Sequence, residues 1–428
     1  MILRLRGSKG GVFDGVMLST LARLKCRQFC ISLMLALVAI TGCGQPDLLR
    51  YDNRATCLGA FHSGNGRYFQ GGYRTPIRPE SADMSLSWHQ SSRSILLKDW
   101  EGIMHLIHET GGGAVEQVNN LPPRRNSGPT VSEAHYLIAL PIGIAQSAAV
   151  YVYSFPEEKP ADPVATISRL ESPKWHPDAL LLAGIYYPEG YEHGSNVVGL
   201  FNVERFEPVL VSTHELEYSN IREVFGWSSN GEVIAVSQYS ENGAIPYYLY
   251  VEEQMVERSL FDTASHNCVI DARWAPDEQV IAFSGDNDLL DGWDIFLETV
   301  ASVGSEDRFL TNLTNTPGAD EYNVAWSPDG STIAYTKAYY DSARNLRQEL
   351  YLINLDDDSS LPVQLTDTLE EFETNPIWIA EDRIAYLSWH PAEAIWTLKA
   401  QSIDGTVSEP ETVLEIPREW YYHPHLGQ

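Results

Sequence analysis

The stretch that decides the fold is residues 312–335, which read NLTNTPGADEYNVAWSPDGSTIAY. At its centre a short apolar run ends in Trp326, the turn Ser327-Pro328-Asp329-Gly330 follows, and a second apolar run ends at Tyr335. Proline presets the backbone for one turn position and glycine accepts positive φ at another. Because both runs are rich in β-branched and aromatic residues, the phrase predicts two strands joined by a tight turn.

Degraded copies of this phrase recur along most of the chain, each marked by a tryptophan. The tryptophans are separated by 87, 52, 47, 52 and 52 residues, and they are Trp88, Trp175, Trp227, Trp274, Trp326 and Trp378. The first gap is about two periods long, and a weaker copy around residues 132–136 fills it. Repeats of this length indicate one four-stranded blade for each unit. The sequence therefore predicts an all-β fold, a single β-propeller of four-stranded antiparallel blades, with seven blades by this count and six as the fallback.

The clearest unit also shows where its outer strands lie. Residues 349–354 alternate like a third strand, and residues 362–366 supply a fourth. The recurring tryptophans are predicted to pack between neighbouring blades, because a large aromatic ring buries much apolar area. We expect a strand from one terminus to help close the ring by pairing beside the other, with residues 413–416 or 61–69 as candidates.

These phrases resemble the repeat of TolB-type, WD40-like β-propellers, which also occurs in the propeller domains of prolyl-oligopeptidase-like peptidases. The resemblance covers roughly Trp88 to Ile416, and residues 291–296, DGWDIF, look like the family's common start of the third strand. A peptidase of that type needs a Gly-x-Ser-x-Gly nucleophile elbow, and the sequence contains none. With little chain on either side of the repeats for a further domain, the expectation is a non-catalytic propeller.

An export signal is predicted at the N-terminus. Three basic residues between Arg23 and Arg27 precede the apolar run 29–39, and small residues follow before Cys43. The ending Ile-Thr-Gly-Cys resembles the bacterial lipobox, which implies that Cys43 becomes the lipidated first residue of the mature protein. An ordinary signal peptide with a chance cysteine is the alternative.

The domain boundaries follow from this signal. Residues 1–42 are the predicted signal peptide, 43–80 a lipid-anchored tether and N-terminal segment, 81–417 the propeller and 418–428 a C-terminal tail. Translation starts at Met1 or at Met17, since the region before the signal is long. Residue 44 is glycine rather than aspartate, and by resemblance to Gram-negative sorting this implies an outer-membrane lipoprotein that faces the periplasm.

The charge balance limits the possible partners. The chain has 58 Asp and Glu against 29 Lys and Arg, a formal net charge of −29. Such an anionic surface argues against nucleic acid and anionic lipid head groups as partners, and makes basic partners or divalent cations more plausible. A solvated acidic surface with no specific partner is the alternative explanation.

One acidic segment is a weak candidate for a metal site. Asp286, Asp288 and Asp291 lie close together in sequence, as the oxygen ligands of a Ca²⁺ loop would. The segment lacks the ligand order of an EF-hand and its closing glutamate, so a solvated loop with a capping Asp294 is favoured. We therefore predict no metal and no cofactor.

A binding face is predicted from the topology. In a propeller the loops between second and third strands share a face with the junctions between blades, and in this chain those loops are long, variable and aromatic. Sequence drift in long loops without a binding role is the alternative explanation. Tyr and Trp combined with acids suit a protein or peptide surface. The residues predicted to line this face are Tyr187, Tyr191, Trp293, Tyr340 and Trp389.

These observations favour a non-catalytic, lipid-anchored binding protein of the cell envelope that engages a protein or peptide. Two alternatives stay open: an envelope glycan-binding protein, or a hydrolase or lyase that uses the central channel. The channel enzyme would be marked by Asp, Glu, His or Arg side chains that converge on the pore with perturbed pKa values.

Overall fold

The structure is a computed structural model of the whole chain. It describes residues 84–90, 92–99, 103–108, 114–117, 130–132, 134–143, 145–154, 162–190, 196–204, 207–214, 221–240, 243–251, 256–259, 269–276, 280–288, 292–299, 310–356, 361–403 and 410–421. The predicted signal peptide, Cys43 and the tether lie outside the described residues. No helix in the described ranges is long and apolar enough to span a membrane.

The described residues form seven four-stranded antiparallel sheets, each built from four consecutive strands. The all-β propeller fold is therefore confirmed, and we number the sheets as blades 1–7 in chain order. Blades 1–3 contain β1 (Ser85–His89), β2 (Ser94–Lys98), β3 (Met104–His108) and β4 (Val115–Gln117); β5 (Thr130–Ser132), β6 (Leu137–Ile142), β7 (Ala149–Ser154) and β8 (Ala165–Ser168); β9 (Leu170–Trp175), β10 (Leu181–Tyr186), β11 (Val197–Asn202) and β12 (Val209–His214).

Blades 4–7 continue the same pattern with longer strands. They contain β13 (Ile221–Trp227), β14 (Val233–Ser240), β15 (Gly243–Tyr250) and β16 (Val256–Ser259); β17 (Val269–Trp274), β18 (Val280–Asp288), β19 (Gly292–Thr299) and β20 (Leu310–Asn312); β21 (Ala319–Trp326), β22 (Thr332–Tyr340), β23 (Leu346–Asn354) and β24 (Val363–Gln364); β25 (Phe372–Ala380), β26 (Arg383–His390), β27 (Ile395–Ser402) and β28 (Glu411–Glu415). Within the described residues, two short 3-10 helices cover Ala145–Ser147 and Arg418–Trp420.

The turn of the deciding stretch is held by its own side chains. Gly330 adopts φ +73°, and its N–H donates to the carbonyl of Ser327 at 3.0 Å. The hydroxyl of Ser327 donates to Asp329 at 2.6 Å and accepts from the N–H of Thr332 at 2.9 Å. The predicted tight turn between the first two strands of blade 6 is confirmed, because each polar residue of the phrase satisfies a backbone or side-chain partner.

The tryptophans pack between blades as predicted, and they also form a ladder of hydrogen bonds. In five of them the indole N–H donates to a backbone carbonyl on the first strand of the preceding blade, at 3.0–3.2 Å. The donor–acceptor pairs are Trp175 to Thr130, Trp227 to Lys174, Trp274 to Gly226, Trp326 to Arg273 and Trp378 to Ala325. In the last four pairs the acceptor directly precedes the tryptophan of its own blade, so the ladder repeats the same contact.

The core is divided among the seams between blades. One cluster of buried apolar side chains joins each pair of consecutive blades, and a further cluster joins blade 7 to blade 1 through Leu387, Trp396, Ile95 and Leu97. The blades thus close into a ring. Burial of apolar area in every seam is the main stabilising term of such a fold.

Residues 411–415 form the fourth strand of blade 7 and pair with β27 of the same blade. The predicted pairing of a strand beside the other terminus stays a prediction, because residues 1–83, including the candidates 61–69, lie outside the described part of the chain. Among the described residues, the seam is closed by apolar packing and by the C-terminal 3-10 helix, where the Trp420 ring stacks on His105 of blade 1 at 3.5 Å between centroids.

The first strands of consecutive blades contact one another from blade 2 round to blade 1, which places them around the central axis. Their backbones bulge at residues with positive φ, which recur at a spacing of 52 residues as Asp271, Asn323 and Asn375. Asn323 accepts a hydrogen bond from the hydroxyl of Thr374 at 3.0 Å, and Asn375 donates to the carbonyl of Met84 at 3.2 Å. Short polar residues tolerate this conformation, and these two link neighbouring blades around the axis.

Candidate binding face

The candidate site is the face of the propeller where turns between second and third strands meet the junctions between blades. On blades 6 and 7 the described part of this face contains the turn 341–345, the junction 365–371 and the turn 391–394. Two large apolar side chains are exposed there: Leu369 is 83% exposed and Tyr340 is 36% exposed. We call the surface formed by Leu369, Tyr340 and the exposed acids Asp367 and Glu370 the blade 6–7 face.

The structure separates the aromatic residues that the sequence grouped together. Trp293 and Trp389 are buried, at 7% and 8% exposure, and Trp389 packs against Trp396 and Tyr421. Tyr187 is half-buried and donates to Glu171 at 3.1 Å. Tyr340 is exposed, while Tyr191 lies outside the described residues. The binding role of the five stays a prediction, but Trp293 and Trp389 offer little surface in this conformation.

Beneath the face, a buried carboxylate ties blade 5 to blade 6. Asp294, at the start of the third strand of blade 5, is 3% exposed. It accepts hydrogen bonds from the Asn312 side chain at 2.8 Å and from the N–H of Thr316 at 3.1 Å. The hydroxyl of Thr316 in turn donates to Glu321 on the first strand of blade 6. The predicted capping role of Asp294 is confirmed, and the cap extends across the seam.

The same arrangement recurs between blades 6 and 7. Glu349 occupies the position of Asp294, is fully buried, and accepts from the hydroxyl of Thr366 at 2.9 Å and the N–H of Thr368 at 3.3 Å. The hydroxyl of Thr368 donates to Glu373 on the first strand of blade 7 at 2.7 Å. The junction between blades 5 and 6 is therefore held by Asp294 of blade 5 and Glu321 of blade 6. The junction between blades 6 and 7 is held in the same way by Glu349 and Glu373.

Sequence reasoning missed this network, although a signal was present. The spacing Thr-x-Thr-x4-Glu occurs at Thr314, Thr316 and Glu321 and again at Thr366, Thr368 and Glu373. In both units the pattern spans the junction between a fourth strand and the next first strand. A polar pattern repeated at equivalent positions of two units predicts a shared structural contact.

Cations inside the face balance the buried glutamates. Lys337 pairs with Glu321 at 2.9 Å, Lys399 pairs with Glu371, and the Arg347 guanidinium contacts Glu349 at 2.5 Å. Arg347 also donates to Asp367 at 2.8 Å. Because Arg347 is itself only 7% exposed on its side chain, this fork fixes the strand that follows Tyr340 to the junction that bears Leu369.

Burial and mutual repulsion perturb the titration of these carboxyls. Desolvation and the neighbouring charge of Glu349 raise the pKa of Glu373 to about 9, so Glu373 holds a proton at neutral pH and shares it with Glu349. Burial likewise raises the pKa of Glu321, although Lys337 opposes the shift. In blade 6, burial raises the pKa of Asp320 to about 6.

Perturbed carboxyls are the mark expected of a channel enzyme, but their surroundings limit what they do. Glu321, Glu349 and Glu373 are each 0% exposed, and each accepts a hydrogen bond from a threonine hydroxyl. A substrate does not reach them in this conformation. The arrangement joins blades and fixes loops.

Within the described ranges, no group of three or more His, Cys, Asp and Glu side chains is arranged to hold a metal ion. Of the weak Ca²⁺ candidates, Asp286 and Asp288 lie at the end of β18, while Asp291 lies outside the described residues.

Known structures share the fold. Prolyl oligopeptidase B from Galerina marginata aligns with a TM-score of 0.54 and 10% identity over 78% of this chain and 51% of its own, so this chain spans about half the length of that protein. Hydrazine synthase from Kuenenia stuttgartiensis aligns with a TM-score of 0.53 and 11% identity over 79% of this chain and 100% of the matched chain. A weaker likeness, with a TM-score of 0.43 and 13% identity, covers 69% of this chain and 66% of TolB from Acinetobacter baumannii.

At these identities the likeness shows the β-propeller fold and nothing about activity. No family model matches the sequence. No curated protein matches it either. The class defined by the fold and the site is therefore a β-propeller whose blade junctions are tied by buried carboxylates.

Proposed function

We propose that this protein is a non-catalytic, lipid-anchored protein of the cell envelope, built from TolB-like repeats, that binds a protein or peptide on the blade 6–7 face. The observation that carries the proposal is the fork of Arg347 on Glu349 and Asp367. It holds an exposed apolar surface, Leu369 with Tyr340, on a rigid buried base. Sites that recognise partners on repeat scaffolds are built in this way, with loops positioned by fixed strands.

The absence of a catalytic role is part of the proposal. Glu321, Glu349 and Glu373 are sealed under the junctions, where they accept hydrogen bonds from Thr316, Thr366 and Thr368. The likeness to prolyl oligopeptidase B concerns its propeller fold, and the sequence has no nucleophile elbow of the kind such peptidases need.

Site-specific photocrosslinking in cells tests the binding role. A photoreactive residue replaces Tyr340 in the full chain, and a matched variant carries it at Tyr136, which is 55% exposed in the turn between β5 and β6 on the opposite face. We expect a discrete crosslinked protein from position 340 and none from position 136. Equal crosslinking at both positions, or none at 340, would refute a binding role for this face.

The membrane anchor is tested separately. We propose that Cys43 is lipidated after export. The basic residues and the apolar run that precede Cys43 support this proposal. Metabolic labelling with an alkyne fatty acid should mark the wild-type protein and should not mark Cys43→Ala. A labelled Cys43→Ala variant, or an unlabelled wild type that is nevertheless exported and cleaved, would leave an ordinary signal peptide as the correct interpretation.

A further inference from the structure

The blade 6–7 face is apolar at its centre and anionic at its edge. Leu369 is 83% exposed, and the side chains of Asp367 and Glu370 beside it are 80% and 82% exposed. Glu370 lies 3.6 Å from the imidazole Nε2 of His390. The face therefore presents an exposed apolar side chain flanked by two exposed carboxylates, a combination that complements an apolar side chain flanked by cations.

The cations nearest this face are turned inward. The side chains of Lys337, Arg347 and Lys399 are 13%, 7% and 12% exposed, and each pairs with a glutamate. Arg347 shares its charge with Asp367, while Arg344 is an exposed base in the turn after Tyr340. Asp367 pairs with Arg347 and Glu370 lies near His390, yet the two acidic side chains are 80% and 82% exposed, so cations of a partner can reach them.

We infer that this face docks a cationic segment of a partner protein, in which an apolar side chain packs on Leu369 and flanking Lys or Arg side chains lie over Asp367 and Glu370. The inference rests on the proposed binding function and names the chemistry of the partner. Charge complementarity selects this occupant, since the chain carries a net charge of −29 and repels a second copy of itself, a nucleic acid or an anionic lipid surface.

The apolar residue and the acidic residues of this face contribute to binding in different ways. Leu369 has the exposed area to act as the anchor, and a small number of such central contacts usually dominates the affinity of an interface. Rim charges such as Glu370 mainly accelerate and orient the encounter, and their contribution is screened by salt. The affinity should therefore depend on both an apolar and a cationic feature of the partner.

The test measures binding of defined peptides to the full chain in detergent by calorimetry. The probe is an alternating lysine–leucine peptide, and the comparison peptides replace leucine by serine or lysine by glutamate. We expect the lysine–leucine peptide to bind most tightly and to weaken as salt rises. Leu369→Ser should reduce its affinity about tenfold, and Glu370→Gln should reduce it about threefold.

Matched variants on the opposite face control for the general charge of the protein. Leu361→Ser removes a leucine that is 80% exposed between β23 and β24, and Glu381→Gln removes an exposed acid between β25 and β26. Both should leave the affinity unchanged. Equal losses from the control variants, or equal binding of the serine and leucine peptides, would overturn the inference.

Two other outcomes separate this inference from the proposed function. If Ca²⁺ alone binds and its binding is lost in Glu370→Gln, while no peptide binds, the occupant is a cation and the inference fails. If the photoreactive residue at Tyr340 captures a partner whose binding is insensitive to Leu369→Ser and to salt, the binding function holds and the cationic docking segment is wrong.

Discussion

The indole N–H of Trp378 donates a hydrogen bond to the backbone carbonyl of Ala325 at 3.1 Å, and Ala325 directly precedes Trp326, the equivalent tryptophan of the preceding blade. Trp326 repeats the contact one blade earlier, on the carbonyl of Arg273 at 3.0 Å. The recurring tryptophan therefore has two functions, since it fills the seam and also pairs a backbone carbonyl of the innermost strand. Loss of either function should lower the free energy of unfolding.

Replacing Trp378 by phenylalanine tests the hydrogen bond. The Trp378 indole is 6% exposed, so Trp378→Phe leaves the carbonyl of Ala325 without its donor in a largely dry seam. We expect the free energy of unfolding to fall by about 1–3 kcal/mol, measured by urea denaturation. Trp326→Phe is the control, because its hydrogen bond is exposed and water can replace the donor. Losses of the same size in both variants would show that packing alone decides the effect.

The Glu349–Glu373 pair predicts a pH dependence of stability. The pKa of Glu373 is raised from 4.5 to about 9 on folding, so between these values the folded state binds a proton that the unfolded state has released. Stability should therefore fall as the pH rises from about 5 to 9. Glu373→Gln cannot ionise and still accepts from Thr368, so it should flatten this decline and gain stability relative to the wild type at pH 8.

The control for this prediction is a glutamate from the same junction that is not buried. Glu370→Gln removes a side chain that is 82% exposed, and the pH profile of unfolding should keep the slope of the wild type. Thermal unfolding of the three proteins between pH 5 and pH 9 gives the comparison. A Glu373→Gln profile that runs parallel to the wild type would mean that Glu373 is ionised in the folded protein.

The C-terminal 3-10 helix should stabilise the seam between the first and last blades. Trp420 stacks on His105, and Tyr421 donates to the carbonyl of Ala394 at 3.0 Å. His105 is held in place by Asp99 at 2.8 Å. We expect Trp420→Ala to lower the free energy of unfolding by about 1–3 kcal/mol, because an aromatic stack and its buried area are lost.

Hydrogen exchange locates this effect. Amides of β1–β3 should lose protection in Trp420→Ala, while those of blades 3–5 should keep it, since Trp420 packs in the closing seam. Tyr136→Ala removes an exposed aromatic ring far from the seam and should change neither. Uniform loss of protection in all blades would indicate global destabilisation and no specific closure.

Alanine substitutions at two glycines with similar backbone conformations should distinguish destabilisation by steric clash from destabilisation by backbone strain. Gly231 has φ +73°, and a Cβ added to it would lie 2.1 Å from Nε2 of His176. Gly190 has φ +83°, and a Cβ there would meet nothing within 4 Å. We expect Gly190→Ala to cost about 1 kcal/mol from strain alone. Gly231→Ala should cost about 2 kcal/mol or more, because the His176 ring must also move. Equal losses in thermal unfolding would mean that this ring moves freely.

Much of the fold is readable in the repeat. The Ser327–Gly330 turn, the role of His176 in its own turn and the packing of the tryptophans all follow from local rules of turn chemistry and apolar burial. Strand ends were less predictable: β22 runs to Tyr340, five residues beyond the predicted end at Tyr335, and β21 begins at Ala319, seven residues before Trp326. Pairing with neighbouring strands extends a strand beyond the residues that favour it.

The candidate site was harder to predict for a physical reason. Trp389 and Trp293 stand near strand ends, where sequence alone cannot distinguish a ring that turns into a seam from one that faces solvent. Leu369 carries no periodic signal because it lies in a junction. The carboxylate network was visible only as spacing, and its meaning depends on the approach of strands from two blades.

The sequence by itself determined the repeat, the four-stranded blade and the turn between its first two strands, because these depend on residues close together in the chain. Tertiary structure alone decided how the ring closes, through Trp420 on His105, and which glutamates lose their charge, through the meeting of Glu349 with Glu373. It also decided which apolar side chains stay exposed. These properties depend on contacts and dielectric environments formed by distant segments, and such contacts leave no local pattern in a single sequence.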